Sequence, residues 1–460
     1  MPKRAAILLL AVVALAAAFP PGASAQPASP GMPSAESRAA GQEVPTYIVE
    51  FLPNPDPDPA TNPLHPEGIN EDGDATGYFD WPYQAFVYTD QGGTVFLPNL
   101  PGRSFGLGAE INELEQVAGR SGFDSIDDPE RAVRWVGRAP QDLGTLGGTD
   151  SRGYSINNLG HVVGSSRVDP RTSETHAFFY SDETGMIDIA PGLSASVARD
   201  LNESDVVTGE AGTAFRWEDG VMRFLGAPPG FAFSAGLAIN ESNQVAGFVN
   251  SSTGNDQRFA IHTEGVGWQV IGGPRERAYL WGINDNGDAV GTGTSGGFDL
   301  GFVNLEGSGL FDLTDLLGTD EWIILAAYDI NNSGQILAHA TSTGGGRFRA
   351  GAVRLTPVSE ACTLAGTDGD DVLTGTAGDD VICGLGGNDT MLGRGGNDTL
   401  IGGDGNDTLK GDRGSDSLLG EFGDDTLSSR DRVSGNDSVD GGAGTDTCRT
   451  DPGDSKVDCP

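Results

Sequence analysis

The chain has 460 residues, a formal net charge of −39, 71 glycines and 7% aromatic residues. That charge excludes nucleic acid as a partner, since a phosphate binder needs a basic face, and it disfavours anionic membrane surfaces for the same reason. The length allows two or three domains, the composition favours turns and short strands over helices, and divalent cations are the natural partners of so many carboxylates.

Residues 1–25 read as a secretory signal peptide. Lys3 and Arg4 form its positive start, Ala5 to Phe19 its apolar run, and Ala23-Ser24-Ala25 a small-residue cleavage site before Gln26. No other stretch is long and apolar enough to span a bilayer. The mature protein is therefore expected to be secreted and extracellular, with no membrane span. Residues 26–45, rich in Pro, Ala, Ser and Gly, read as a disordered lead.

From residue 46 to residue 357 a subtle repeat appears. An apolar residue precedes an Asn, and a small residue follows seven positions later: Asn70/Gly77, Asn112/Gly119, Asn157/Gly164, Asn202/Gly209, Asn240/Gly247, Asn284/Gly291 and Asn331/Ala338. Gly, Asp, Asn or Glu stands three residues after each Asn, mostly types that accept a left-handed turn. The pattern reads strand, tight turn, strand. The copies are spaced 42, 45, 45, 38, 44 and 47 residues apart, the length of one four-stranded propeller blade. Seven copies predict a seven-bladed β-propeller. The seventh lacks a fourth strand, and Tyr47 to Leu52 resembles the fourth strand of another copy. That segment is expected to complete the last blade and leave no open edge. The units resemble the HAF repeats of exported bacterial proteins, through His176-Ala177-Phe178, Asp142 to Gly148 and the Ile-Asn turns. That resemblance implies little about activity.

Gly102 to Gly106 and Gly293 to Gly297 match G-x-S-x-G, which would place Ser104 or Ser295 as a nucleophile. A hydrolase needs that Ser on a strand-to-helix elbow, and no plausible helix follows either. The histidines His65, His161, His176, His262 and His339 are scattered without metal-ligand spacing. The acidic turns at Asn70 to Asp74 and Asn284 to Asp288 read as plain turns. No acid/base constellation is visible, and the expectation is that the chain is not an enzyme.

Residues 358–460 change character. A nine-residue period runs GTDGDDVLT, GTAGDDVIC, GLGGNDTML, GRGGNDTLI, GGDGNDTLK, GDRGSDSLL, GEFGDDTLS, then RVSGNDSVD and GGAGTDTCR after an interruption. The fourth residue is Gly: Gly369, Gly378, Gly387, Gly396, Gly405, Gly414 and Gly423 in the unbroken units. The sixth is Asp: Asp371, Asp380, Asp389, Asp398, Asp407, Asp416, Asp425, Asp437 and Asp446. The eighth is apolar in all but the last unit. Gly lets a turn curl its carbonyls inward, Asp adds a carboxylate, and the eighth residue feeds a thin core. Ca2+ takes about 6–8 oxygens of these kinds. Two units make one coil of a parallel β-roll, so unit n stacks on n+2, and the unbroken units form five such pairs. From Cys362 to Pro460 there are 21 acidic and 7 basic residues. One core side chain per unit does not offset ordering costs of roughly 1–2 kcal/mol per residue, so the roll is expected to need the energy of bound calcium.

The repeat resembles the RTX family of calcium-binding nonapeptide proteins over its whole length. With an ordinary secretory signal, the chain resembles the exported calcium-repeat proteins of Gram-positive actinobacteria. Position two departs from the family pattern, keeping Gly only at Gly403 and Gly442, and the phase slips by three residues at Ser429 to Ser434. The slip sets Asp437 and Asp446 apart as the weaker sites.

All four cysteines lie in this segment. Their gaps suggest Cys362–Cys383 and Cys448–Cys459, one staple at each end of the coil, since the other two pairings would tie distant ends together. An oxidising compartment favours disulfides, and a zinc site fits the spacing poorly. The functional expectation is a calcium-binding protein whose propeller holds a protein or glycan. A secreted hydrolase and a calcium-dependent coat component are the alternatives.

Overall fold

The computed structural model describes residues 44–460 apart from 55–62, 80–82, 90–91, 124–128, 274–276, 296, 318–321, 343–349, 359–361, 368, 434, 443, 458 and 460. The expected signal peptide and nearly all of the expected lead fall on residues 1–43, outside the described residues. Strands dominate, and helix among the described residues amounts to one 3-10 turn at Leu313–Leu316. None of the described helices is long and apolar enough to cross a membrane.

Seven four-stranded antiparallel sheets form a seven-bladed propeller. Their innermost strands are Leu64–Ile69, Phe105–Ile111, Ser151–Ile156, Val197–Leu201, Phe233–Ile239, Ala278–Ile283 and Trp322–Ile330. Closure is as expected: Thr46–Phe51 pairs antiparallel with Ala350–Val358 and becomes the outer strand of the last blade. A buried ion pair secures it. Arg354 donates to the two Glu50 oxygens at 2.9 and 3.0 Å, and its third nitrogen reaches the Gly73 carbonyl of the first blade at 3.1 Å.

The repeated Asn does more than mark a turn. Each side-chain amide donates to the backbone carbonyl of the corresponding Asn in the next blade. The ring runs from Asn70 through Asn112, Asn157, Asn202, Asn240 and Asn284 to Asn331, then back to Asn70, at 2.8 to 3.3 Å. Each Asn Oδ1 accepts the backbone N–H four residues on, at 2.8 to 3.1 Å, and so pins its own turn. A second ring lies one residue later. There Glu71, Glu113, Asn158, Glu203, Glu241, Asp285 and Asn332 each accept the N–H of the preceding blade's equivalent.

Every innermost strand also carries a bulge. The register shifts between Pro66 and Gly68 in the first blade and between Ala327 and Asp329 in the last, leaving the third residue before each ring Asn unpaired. The five blades between shift at the equivalent place. This explains the small residue seven positions after the Asn. A Cβ on Gly77, Gly119 or Gly164 would collide with the carbonyl of His65, Leu107 or Arg152 on the innermost strand.

Residues 364–457 form a parallel β-solenoid of about five turns. One sheet runs Leu364–Ala365, Val381–Gly386, Thr399–Asp404, Ser417–Phe422, Ser438–Asp440 and Ser455–Val457. The other runs Val372–Thr374, Thr390–Gly395, Thr408–Arg413, Thr426–Ser428 and Thr447–Arg449. Unit n pairs with n+2, as in Ile382↔Leu400 and Leu409↔Leu427. The core is the eighth-position column: Leu373, Ile382, Met391, Leu400, Leu409, Leu418, Leu427 and Val439. Disulfides join Cys362 to Cys383 and Cys448 to Cys459. Ile48 of the propeller's closing strand packs on the small apolar cluster of Val381, Cys383 and Ile401.

Two outcomes follow for the propeller. Asn284→Ala strands the Asn331 carbonyl and the Asp288 N–H, and should lower its unfolding free energy by about 2–4 kcal/mol. Burial lifts the carboxyl of Glu67 from 4.5 to about 7 and that of Asp200 from 3.8 to about 6. The folded state therefore binds these protons more tightly than the unfolded one, and stability falls as pH rises from about 4 to about 7. The propeller's melting temperature should be higher at pH 5 than at pH 8, and Glu67→Gln should flatten that slope.

Candidate functional site

The turns of the roll are built by backbone angles that few residues accept. The fourth-position glycines Gly387, Gly396, Gly405, Gly414, Gly423 and Gly444 have φ from 104° to 159°. Position two is also left-handed, not merely permissive: Leu385, Arg394, Asp412 and Glu421 sit at φ 70° to 78°. A side chain there costs about 1–2 kcal/mol of strain.

The sixth-position aspartates form a ladder through the roll. From Asp389 on, each Oδ1 accepts the backbone N–H of the Asp two units earlier: Asp371 N–H donates to Asp389 at 2.8 Å, Asp380 to Asp398 at 2.9 Å, Asp389 to Asp407 at 2.7 Å, Asp398 to Asp416 at 3.0 Å and Asp407 to Asp425 at 2.7 Å. The ladder continues across the slip. Asp416 donates to Asp437 and Asp425 to Asp446, both at 2.8 Å with a separation of 21 residues instead of 18. The extra residues are accommodated outside the ladder, so its hydrogen bonds run on unbroken through Asp437 and Asp446.

The other carboxylate oxygen is the informative one. Oδ2 of Asp389, Asp398, Asp416, Asp425 and Asp437 is buried without a hydrogen-bond partner. Its direction is shown by the first glycine of each unit. A Cβ on Gly384 would meet Asp389 Oδ2 and the Gly402 carbonyl; on Gly393, Asp398 Oδ2 and the Gly411 carbonyl; on Gly420, Asp425 Oδ2 and the Gly441 carbonyl. A carboxylate oxygen and a carbonyl oxygen from the next coil thus converge on space that only glycine leaves open. Burial, with repulsion from neighbouring ladder carboxylates, pushes Asp416 up to about 6 and Asp425 up to about 7, and raises Asp389, Asp398 and Asp437 as well.

The first two units differ. Thr367 and Thr376 each donate a backbone N–H and a hydroxyl to Oδ2 of Asp371 and Asp380, at 2.6 to 2.9 Å. Those bonds hold the Asp380 carboxyl below its usual range. The fifth position, which carried no role in the sequence reading, forms a second and exposed ladder: Asn406 N–H to Asn388 Oδ1 at 2.9 Å, Ser415 to Asn397 at 2.9 Å, Asp424 to Asn406 at 2.7 Å. Its signal was present, since that position is always Asp, Asn, Ser or Thr.

The donor set fits a hard cation. Among the described residues no three His, Cys, Asp or Glu side chains gather as a metal cluster. Each cradle offers one carboxylate and main-chain carbonyls, the oxygen mixture that calcium accepts.

On the propeller, Ser104 lies in a loop and Ser295 ends the strand Ala289–Ser295, neither on a strand-to-helix elbow. His176 is buried and bound to Asp188 at 2.7 Å and Glu174 at 3.3 Å. The histidines are less scattered than their spacing suggested, because His65 and His339 meet with ring centroids 6.2 Å apart.

Residues 363–391, 392–427 and 434–457 match the family model of the RTX calcium-binding nonapeptide repeat, in four copies. This segment carries RTX repeats and takes the β-roll that goes with calcium binding. No curated protein matches the chain. The solved structures similar to it include virginiamycin B lyase from Staphylococcus aureus, at 10% identity over 68% of this chain and 100% of that one, TM-score 0.40. A streptogramin B lyase shares 12% identity over 68% and 98%, TM-score 0.40, and a puromycin hydrolase 12% over 73% and 54%, TM-score 0.38. At such identity the likeness is one of fold. It corrects the expectation that the chain is not an enzyme: the similar propellers are named as lyases and a hydrolase, and a missing serine motif does not make this fold non-catalytic.

Neighbouring positions should respond oppositely to substitution. Gly393→Ala forces a Cβ into the cradle and should cost the calcium-loaded roll about 1–3 kcal/mol. Arg394→Gly relieves the left-handed strain and should add about 0.5–1 kcal/mol. Chemical unfolding in calcium reads both.

Proposed function

We propose that this is an exported calcium-binding protein in which calcium completes the fold of the roll while the propeller holds a protein or glycan partner. The supporting observation is the row of buried, unpartnered carboxylate oxygens at Asp389, Asp398, Asp416, Asp425 and Asp437, of which those of Asp389, Asp398 and Asp425 converge with a carbonyl of the next coil. The domain limits on this reading are a signal at 1–25, a lead at 26–45, a propeller of HAF-like units at 46–357 and the roll at 358–460.

Asp389, Asp398, Asp407, Asp416, Asp425, Asp437 and Asp446 supply the carboxylates, and the turn glycines from Gly387 onward keep the backbone close enough for its carbonyls to contribute. Asp371 and Asp380 act as capped ends, their free oxygens taken by Thr367 and Thr376. Bound calcium supplies the positive charge that offsets repulsion along the ladder. Calcium is scarce inside cells and plentiful outside, so the roll would order after export. The two disulfides are consistent with an oxidising exterior.

Calorimetric titration of calcium into the chelator-treated full chain tests this. Asp389→Asn, Asp398→Asn and Asp416→Asn keep the Oδ1 ladder acceptor and remove charge. Combined, they should lower the number of ions bound and raise the calcium concentration needed to order the roll by about tenfold or more. Unchanged stoichiometry and midpoint would contradict the reading.

A further inference from the structure

The seven cations of the roll are not spread evenly over it. Arg394, Lys410, Arg413 and Arg449 lie on strands of one sheet, the one that runs from Val372–Thr374 to Thr447–Arg449, and those strands carry a single acid, Asp412. Arg430 and Arg432 follow in the slip, and Lys456 stands on the other sheet. The propeller's closing strand packs on that other sheet, where Ile48 meets Cys383 and Ile401. Arg394, Lys410, Arg413 and Arg449 are all exposed.

One end of the cationic sheet borders a cleft of about 780 Å3. The second unit, at Thr374 to Ala377, forms one side of it, and the side chains of Arg394 and Arg413 reach it from the next coils. Gly395 and Gly396 line it without filling it, and no carboxylate does. The two arginines lie on neighbouring strands, since Gly395 is the register partner of Arg413. Such strands run about 4.8 Å apart, so the two side chains start close together.

The acids nearby are engaged elsewhere. Asp412 is ion-paired with Lys410. Asp380, whose Oδ2 borders Gly375, is held by the N–H and hydroxyl of Thr376 at 2.6 and 2.9 Å. Asp379 accepts the Asn397 N–H at 2.6 Å. Neither Arg394 nor Arg413 has an ion-pair or hydrogen-bond partner among the described residues. Arg394 also stands where the backbone disfavours it, at a φ of 78° that glycine accepts freely. Leu385 and Asp412, at the same position of their units, have contacts to show for that strain: Leu385 packs beside Val381 and Ile401, and Asp412 holds Lys410. Arg394 has none within the chain.

We propose that this cleft binds an ester bearing a tetrahedral oxyanion, a phosphate or a sulfate, on a sugar-sized body, with the oxyanion held between Arg394 and Arg413. Each guanidinium offers a planar fork of N–H donors. One fork satisfies both oxygens of a carboxylate, whereas two forks on one cleft call for an anion with three outward oxygens. The volume suits a small molecule. The site belongs to the roll, so it requires the calcium-ordered fold and is independent of what the propeller holds.

The test is calorimetric titration of the full chain, in excess calcium, with glucose 6-phosphate, glucose 6-sulfate, glucuronate and glucose. One or both esters should bind about tenfold or more tightly than glucuronate or glucose, and the tighter ester names the source of the oxyanion. Arg413→Gln and Arg394→Gly should each weaken the ester by about tenfold or more, although Arg394→Gly makes the roll harder to unfold. Lys456→Gln, on the other sheet, should leave the affinity unchanged. Equal affinity for glucose or glucuronate overturns the tetrahedral-oxyanion assignment. Ester binding that survives both arginine substitutions overturns the site. No ester binding to a chain whose roll has ordered in calcium, as read by circular dichroism, overturns the inference and leaves the calcium reading standing.

Discussion

A carboxylate every nine residues, buried against the backbone of the adjacent coil, is the constraint on which the C-terminal roll depends. Its Oδ1 closes a hydrogen bond across coils, so the aspartate cannot be dispensed with. In Asp389, Asp398, Asp416, Asp425 and Asp437 its Oδ2 is left without a hydrogen-bond donor in the same buried place. A stack of such groups repels itself, and the single column of apolar side chains inside the roll is too thin to outweigh that repulsion and the ordering of the chain. Each added coil brings another charge as well as another core residue. The roll can grow only if something positive accompanies it.

The propeller solves a similar problem differently. Its repeat also uses one side chain per unit to bond the backbone of the next. There the residue is Asn, which both donates and accepts. The amide satisfies the neighbour's carbonyl while Oδ1 satisfies its own turn, and the seventh copy returns to the first. Nothing is left over. One chain thus joins a ring of amides that satisfy one another to a ladder of carboxylates with buried oxygens left unpartnered. Ile48, on the strand that closes the propeller, also touches the roll, so the two are packed together and not merely tethered.

Much of this was legible in the sequence because both repeats are periodic and local. The nine-residue period carried the n to n+2 stacking and the core column, and the Ile-Asn period carried seven blades and the role of Tyr47 to Leu52 as the closing strand. What was not legible depends on residues brought together from far apart. The Asn ring spans neighbours about 45 residues away, and its last bond spans 261. His65 and His339 meet across the same seam between the last blade and the first. The bulges at Tyr154, Arg199 and Trp281 leave no mark in composition. In the roll, the slip at Ser429 to Ser434 looked like a break because register was counted along the chain. Register is held by the ladder, which accepts 21 residues as readily as 18. Conversely, Asp371 and Asp380 looked like all the others, and only the threonines above them show that their second oxygens are occupied.

Hydrogen–deuterium exchange on the full chain, in calcium and in chelator, tests the central claim most directly. The account predicts that the ladder amides of Asp389, Asp398, Asp407, Asp416 and Asp425 exchange slowly in calcium and at near-unfolded rates in chelator. The propeller-turn amides of Asp74, Gln116, His161 and Val206 should keep the same protection in both. Ladder amides equally protected in chelator would contradict it, because the carboxylate stack would then be stable without a cation.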